Sequence, residues 1–349
     1  MTMNNELIPS SASGVLATNE PINGLSQELS AKIATSLNEL KSDERAYSAA
    51  TWSMVRHCWG HWTLYCGRRA CVPLPVNTSI LRDYLLELSQ SLAVNSVEAH
   101  LTAINFVQRN ADLPSVTREG KITRAMRIIR RLAAERRETA RQAIPMRFDD
   151  LRLLVLLYRG SDRLIKLRDM ALLVTAYHTL LREAEVTRLK VRDIEDGEAG
   201  TGAVYVAQTK TNVSGEAEYR VLSDWGLKIV RDWIKAAELS PDDYLFCKVN
   251  KHNQAVKVEK PLSGVSVDSI FARAYLALGN EPKDTDRYTV WSGHSARVGA
   301  ALDLAASGAS IPQIMQAGGW KSSNTVMGYI RRISLTDNPI LKLTGLGGL

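Results

Sequence analysis

Cysteine is scarce in this chain. Four of 349 residues are cysteine (Cys58, Cys66, Cys71, Cys247), too few for a disulfide framework, which points to a reducing compartment. His57, Cys58, His61, Cys66 and Cys71 crowd one stretch, but no C-x-x-C pair occurs and the surrounding aromatics read as core, so no metal site is expected. No run is long and apolar enough to span a bilayer. The first residues, rich in Ser, Asn and Pro, have neither the basic start nor the apolar stretch of a signal peptide. The G-x-x-x-x-G-K-[ST] phosphate loop is missing too, so the chain lacks that route to ATP. These absences describe a cytoplasmic protein with a disordered leader over 1–28.

What is present is ordinary in amount and unusual in placement. With 45% hydrophobic and 23% charged residues the composition is that of a soluble protein, and the length allows about two domains. The net charge of +7 favours a polyanionic partner. From Arg118 to Gln142 nine basic residues face three acidic ones, so the surplus is concentrated in one segment, a pattern that points to nucleic acid.

Helical spacing begins at Leu29, Ile33, Leu37 and Leu40. A second helix follows Tyr47, with Trp52, Val55, Trp59 and Trp62 on one stripe read as core. After Pro73 and Pro75, Thr78 or Ser79 is the expected cap of a third helix carrying Leu81, Tyr84, Leu85 and Leu88. A fourth carries Val94, Val97, Leu101, Ile104 and Val107. The fifth runs from Lys121 to Glu138, with Ile122, Met126, Ile129 and Leu132 inward and Arg124, Arg127 and Arg131 on another side. A charge block of this kind is otherwise a solvated helix face or tail. The polar stretch 138–145 ends at a proline and is the expected domain boundary.

Beyond it, helical spacing resumes at Asp149 and runs through Arg168 to Leu181. Residues 203–210 and 219–223 read as the strands of a hairpin. Helices return over 225–235, 267–278 and the C-terminal stretch. That last stretch holds His294 and Arg297, three apart and so on one helix face, able to meet one anion. A His-x-x-Arg pair alone is usually an exposed surface pair of little consequence.

Order changes that reading. Arg182, Lys210, His294, Arg297, Trp320 and Tyr329 succeed one another within the boxes TLLREAEV, TKT, WSGHSARVGAA, IPQIMQAGGW and VMGYIRR. In residue type, order and separation these boxes resemble the tyrosine recombinase (phage integrase) family, in its Cre-like branch, over about residues 30–345. Two departures from the wider family are shared with that branch: Leu180 where most members carry glycine, and Trp320 where most carry histidine.

The resemblance implies a mainly α protein. Its parts would be a helical, SAM-like core-binding domain over 29–138, a linker over 139–146 and a catalytic domain with a small antiparallel sheet over 147–334. Together the two domains would form a C-shaped DNA clamp. The tail 335–349, with Ile340, Leu341 and Leu343, would dock on a neighbouring protomer or stay unstructured. The implied activity is site-specific recombination on double-stranded DNA with inverted-repeat sites, through a 3′-phosphotyrosine and a Holliday junction. Dimers would sit on one site and tetramers in the synapse, without metal or ATP and away from any membrane, in a prokaryotic, phage or plasmid setting.

By the same resemblance Tyr329 is the nucleophile, and a free phenol, titrating near about 10, needs a base and cations to attack at neutral pH. Arg182 and Arg297 would clamp the phosphate oxygens, Lys210 would protonate the departing 5′ oxygen, and His294 would act as base or phosphate donor. Trp320 would give its indole N–H, and Glu185 would orient His294 or Arg182. Met54, Asn95 and Ala99 match base-facing positions, and Arg124, Arg127, Arg130 and Arg131 would meet phosphates. Val265 and Asp268 stand where the branch's type member has arginine and glutamate. Valine cannot make a bidentate guanine contact, so a different target is expected. Type IB topoisomerase-like relaxation and non-catalytic DNA binding are the alternative readings.

Overall fold

Short polar side chains fix where the first helices start. The computed structural model describes residues 26–138, 142–206, 218–283 and 288–330. Lys210, nearly all of the leader, the first three residues of the linker (139–141) and the tail 335–349 therefore lie outside the described residues. The chain divides into two compact units, Met1–Ala140 and Arg141–Leu349.

In the first unit, Ser26 accepts from the Leu29 amide at 3.3 Å to open α1 (Gln27–Ser42), and Ser48 accepts from Thr51 at 3.1 Å to open α2 (Ala49–Arg68). The cap of α3 (Thr78–Leu88) is Asn77, one residue before the expected Thr78 or Ser79. Its carbonyl oxygen reaches the amides of both Ser79 and Ile80, while Thr78 and Ser79 are already helical. With α4 (Val94–Asn110) these helices seal a core around Trp52, Trp59, Trp62, Tyr65, Leu81 and Ile104. All four cysteines are free thiols, and Cys58 and Cys66 are buried in that core.

The basic helix α5 spans Gly120–Glu135 and ends earlier than its charge pattern suggested. Leu132, expected inside, is 43% exposed. At about 100° per residue Ala133 stays on the stripe of Ile122, Ala125, Met126 and Ile129, and position 132 turns away. Glu138, past the helix, accepts from the Val94 amide at the start of α4, where a carboxylate also suits the helix dipole.

In the second unit the expected helix from Asp149 to Leu181 is two. α6 (Phe148–Tyr158) and α7 (Leu164–Thr179) are parted by a turn in which Gly160 takes φ +73°. The polar run 159–163 (Arg-Gly-Ser-Asp-Arg) breaks the apolar spacing, and its Gly-Ser-Asp is a turn signal that the single-helix reading passed over. α7 is buried around most of its circumference and forms the centre of the unit. Inside it, Asp169 holds both Arg168 (2.6 Å) and Arg273 (2.8 Å).

A three-stranded antiparallel sheet packs alongside, with β1 (Ile194–Asp196), β2 (Gly202–Val206) and β3 (Glu218–Leu222) in that order. Val204 pairs with Ile194 on one side and Arg220 on the other. The hairpin strands were legible in the sequence. β1, three residues with two acids, carries no strand pattern and was not. Neither was the two-residue ribbon of β4 (Lys248–Val249) and β5 (Ala255–Val256).

The remaining helices are α8 (Glu183–Val186), α9 (Asp224–Ala236), α10 (Gly264–Ala277), α11 (Ser295–Ala306), α12 (Ile311–Gly318) and α13 (Ser323–Ile330). A separate apolar cluster of Leu180, Ala300, Ala301, Ile314, Trp320, Val326 and Ile330 binds the last three to the end of α7. Among the described residues no helix is long and apolar enough to cross a membrane.

Candidate active site

Three helix ends meet at Arg297. It lies in the first turn of α11 and is 1% exposed. One terminal nitrogen donates to the Leu180 carbonyl and the other to the Gly318 carbonyl at 3.1 Å. The guanidinium carbon sits 4.1 Å from the centre of the Trp320 ring, a cation–π stack.

Leu180 caps α7 in the left-handed region, φ +50°. That conformation costs a residue with a Cβ about 1–2 kcal/mol and turns its carbonyl to the guanidinium. Gly319 ends α12 at φ +62°, where a Cβ would strike the Arg220 guanidinium of β3. The Gly318–Gly319 pair thus lets the chain fold back so that Trp320 covers Arg297.

Carbonyls and a ring engage the two terminal nitrogens and the face of the guanidinium but do not neutralise it. Burial pulls Arg297 down to about 10, which leaves it cationic at neutral pH, and its Nε is buried without a hydrogen-bond partner. A buried donor left unmade is costly. Here it belongs to a cation beside Tyr329.

Tyr329, half-buried on α13, approaches Nε2 of His294 at 2.8 Å, and its ring is tilted 48° to that of Trp320 with ring centres 5.4 Å apart. Gln142 donates to its backbone carbonyl at 3.2 Å. His294 is the N-cap residue of α11. Burial first, then the charges of Arg297 and Arg182, lower its imidazole to about 4. It is therefore neutral at physiological pH. With the proton on Nδ1, Nε2 can accept from the phenol.

Arg182 precedes α8 and donates through its amide and its guanidinium to the two oxygens of Glu185, each at 2.8 Å. Of the two partners foreseen for Glu185, these bonds go to Arg182. The side chain of Arg182 remains 31% exposed, within electrostatic reach of both His294 and Arg297.

Tyr329, His294, Arg297 and Trp320 are thus in direct contact, and the Arg182–Glu185 pair is close by. Sequence reasoning missed the carbonyls of Leu180 and Gly318, and Gln142. A backbone carbonyl has no side-chain signature, and a lone glutamine in a linker has none either.

The residues expected at DNA are placed unequally. In the first unit Asn95 is exposed, whereas Met54 and Ala99 are half-buried, Met54 against the core. On α5, Arg124, Arg127 and Arg131 are exposed, and Arg130 is tied to Glu98 at 2.7 Å. In the second unit Val265 is 77% exposed at the start of α10. The carboxylate of Asp268, one turn on, accepts from the Gly293 amide at 2.9 Å. Both line a pocket of about 590 Å³ that also touches Glu183, Trp291 and His294.

Residues 147–334 match the phage integrase family. The recombinase Cre of Escherichia phage P1 is 35% identical over 328 residues, covering 93% of this chain and 94% of that protein. An integrase/recombinase XerD homologue of Selenomonas ruminantium is 22% identical, over 91% and 90% of the two chains. The crystal structure of the XerH site-specific recombinase bound to a palindromic difH substrate, in its post-cleavage complex, shares the fold. Its TM-score is 0.60 at 14% identity, over 96% of this chain and 94% of that one. The fold, the meeting of Tyr329 with His294 and Arg297, and the likeness to Cre along nearly the whole length lead to one conclusion: the chain belongs to the phage integrase family of tyrosine-type site-specific recombinases.

Proposed function

We propose that this protein cuts and rejoins double-stranded DNA at an inverted-repeat site through a 3′-phosphotyrosine intermediate. The observation that carries the reading is the 2.8 Å approach of the Tyr329 hydroxyl to His294 Nε2, next to a buried arginine whose Nε has no acceptor. In the proposed step the Tyr329 oxygen attacks phosphorus as its proton passes to Nε2 of the neutral imidazole. Arg182 and Arg297 take up the charge that builds on the non-bridging oxygens. The bond from phosphorus to the 5′ oxygen breaks, and Lys210 supplies that oxygen with a proton. Trp320 packs the tyrosine segment and offers its indole N–H to the phosphate. A 5′-hydroxyl from a partner duplex then displaces Tyr329 and restores a phosphodiester. The covalent ester conserves the bond energy.

On DNA, Arg124, Arg127, Arg130 and Arg131 of α5 would meet phosphates, Arg130 by leaving Glu98. Asn95, Met54 and Ala99 would face bases. With Val265 at the exposed start of α10, the favoured sequence differs from that of the Cre relative, since valine offers no hydrogen bond to guanine. Two protomers would share one site and four a synapse, in the cytoplasm of a prokaryotic host.

The test is incubation with DNA fragments of the source genome, followed by a search for a covalent protein–DNA adduct and for recombinant product. Both together support the reading. Relaxation of supercoiled DNA without recombinants would favour a topoisomerase, and a mobility shift without adduct a DNA-binding protein only.

A further inference from the structure

The segment Ser292–Gly293–His294 carries the imidazole into the site, and two of its amides have side-chain acceptors. Ser292 N–H donates to the hydroxyl of Ser295 at 2.9 Å, a bond the turn makes within itself. Gly293 N–H donates to Asp268 Oδ1 at 2.9 Å, across from α10. A carboxylate accepting from a backbone amide makes a charge-assisted bond. At the start of α11 it also meets the favourable end of the helix dipole.

Glu183, directly after Arg182, closes the other side. A Cβ on Gly293 would lie 2.6 Å from its Oε2, and one on Gly264, the first residue of α10, would collide with its Oε1. The Arg182 segment, the start of α10 and the His294 segment are thus packed around one carboxylate. Asp268 stands close enough to Glu183 for the two charges to oppose each other. Bringing a second carboxylate there is unfavourable unless a specific bond offsets it, and the Gly293 amide supplies that bond.

We propose that Asp268 is a positioning residue: by holding the Gly293 amide, its carboxylate keeps the His294 imidazole aligned with the Tyr329 hydroxyl. Asp268 then acts through the backbone, not by reading a base. The proposal rests on the reading of His294 as the proton acceptor for Tyr329. It ties α10, whose first turn presents the exposed Val265, to the chemistry one residue away from the bond.

The experiment compares Asp268→Ala, Asp268→Ser and Asp268→Asn in the full chain. One arm measures single-turnover adduct formation on a nicked substrate against DNA affinity. A misplaced catalytic group costs rate at saturation, so Asp268→Ala is expected to slow cleavage about tenfold to a hundredfold with affinity nearly unchanged. Asp268→Asn, which keeps an acceptor oxygen, should return most of the rate. The second arm uses the free protein and NMR. In Asp268→Ala the Gly293 amide proton should move upfield and the His294 ring shifts should change, while Asp268→Asn stays near wild type. Asp268→Ser serves both arms if the alanine variant does not fold.

Unchanged His294 shifts in the alanine or serine variant overturn the proposal, as does an asparagine variant as slow as alanine. So does an alanine variant that cleaves normally at saturation but binds weakly or accepts a new base at one position, which would make Asp268 a base reader. The NMR arm stands apart from the DNA assay, so an inactive wild type would count against the recombinase reading and not against this bond.

Discussion

Each unit of this protein contains a histidine in contact with a tyrosine hydroxyl, and the two pairs differ in the charges around them. In the first unit Tyr84 meets His100 Nδ1 at 2.9 Å, and in the second Tyr329 meets His294 Nε2 at 2.8 Å. Burial lowers both imidazoles to about 4. The surroundings differ. Tyr84 is 3% exposed, walled in by Trp62 and Tyr65, and its phenol is pushed up by burial. The charges lowering His100 further are those of His61 and His57. Tyr329 is half-open, and the charges acting on its histidine are two guanidiniums. A neutral histidine against a phenol is therefore a satisfied core hydrogen bond by default. The proposed roles of nucleophile and base require permanent cations to meet the charge that attack creates, and of the two histidines only His294 is lowered by such cations.

The largest break in this comparison is Tyr329→Phe against Tyr84→Phe. The first should still bind DNA and form no covalent adduct on denaturing gels. The second should form adduct within about threefold of wild type and lose about 1 kcal/mol of stability, the ordinary worth of one hydrogen bond, read from urea unfolding. Next in size, Arg297→Ala should slow single-turnover cleavage by about 10²- to 10³-fold, as removal of one oxyanion donor does. Arg297→Lys should recover little, because an ammonium cannot span the Leu180 and Gly318 carbonyls while stacking on Trp320.

His294→Ala comes third, with cleavage slowed about a hundredfold or more. His100→Ala should cleave normally below its melting point and show its cost as stability, since the Tyr84 hydroxyl is left buried without a partner.

A pH effect is shared by both pairs. A histidine lowered in the fold takes its proton in the unfolded chain first. Above the ordinary value of 6.5 neither state is charged; between 6.5 and about 4 only the unfolded chain gains the proton; below about 4 both carry it. Stability should therefore decline as pH falls from 6.5 to 4 and level off beneath. His100→Gln should flatten the part of that slope due to the first unit, as measured by denaturation midpoints across the range.

How much of this was legible beforehand depended on whether a residue's role is local. The aromatic stripe of α2 and the basic face of α5 follow helical period, and both were readable along the chain. Leu132 failed because a stripe drifts by a residue over several turns, and only the packed partner decides which side is kept. The break at Gly160 was overlooked although the polar run 159–163 marks it, because strong apolar content on both sides outweighed five polar residues.

The sequence by itself determined the family, the order of the chemical groups and the mainly helical architecture with its hairpin, since side-chain type and short-range spacing are written in it. Tertiary structure alone decided that Arg297 is caged by carbonyls 117 and 21 residues away, that His294 stays neutral, and that Asp268 turns to Gly293 across 25 residues. Those outcomes rest on desolvation and on where backbone oxygens and amides come to lie, and every residue carries the same backbone groups, whatever its letter.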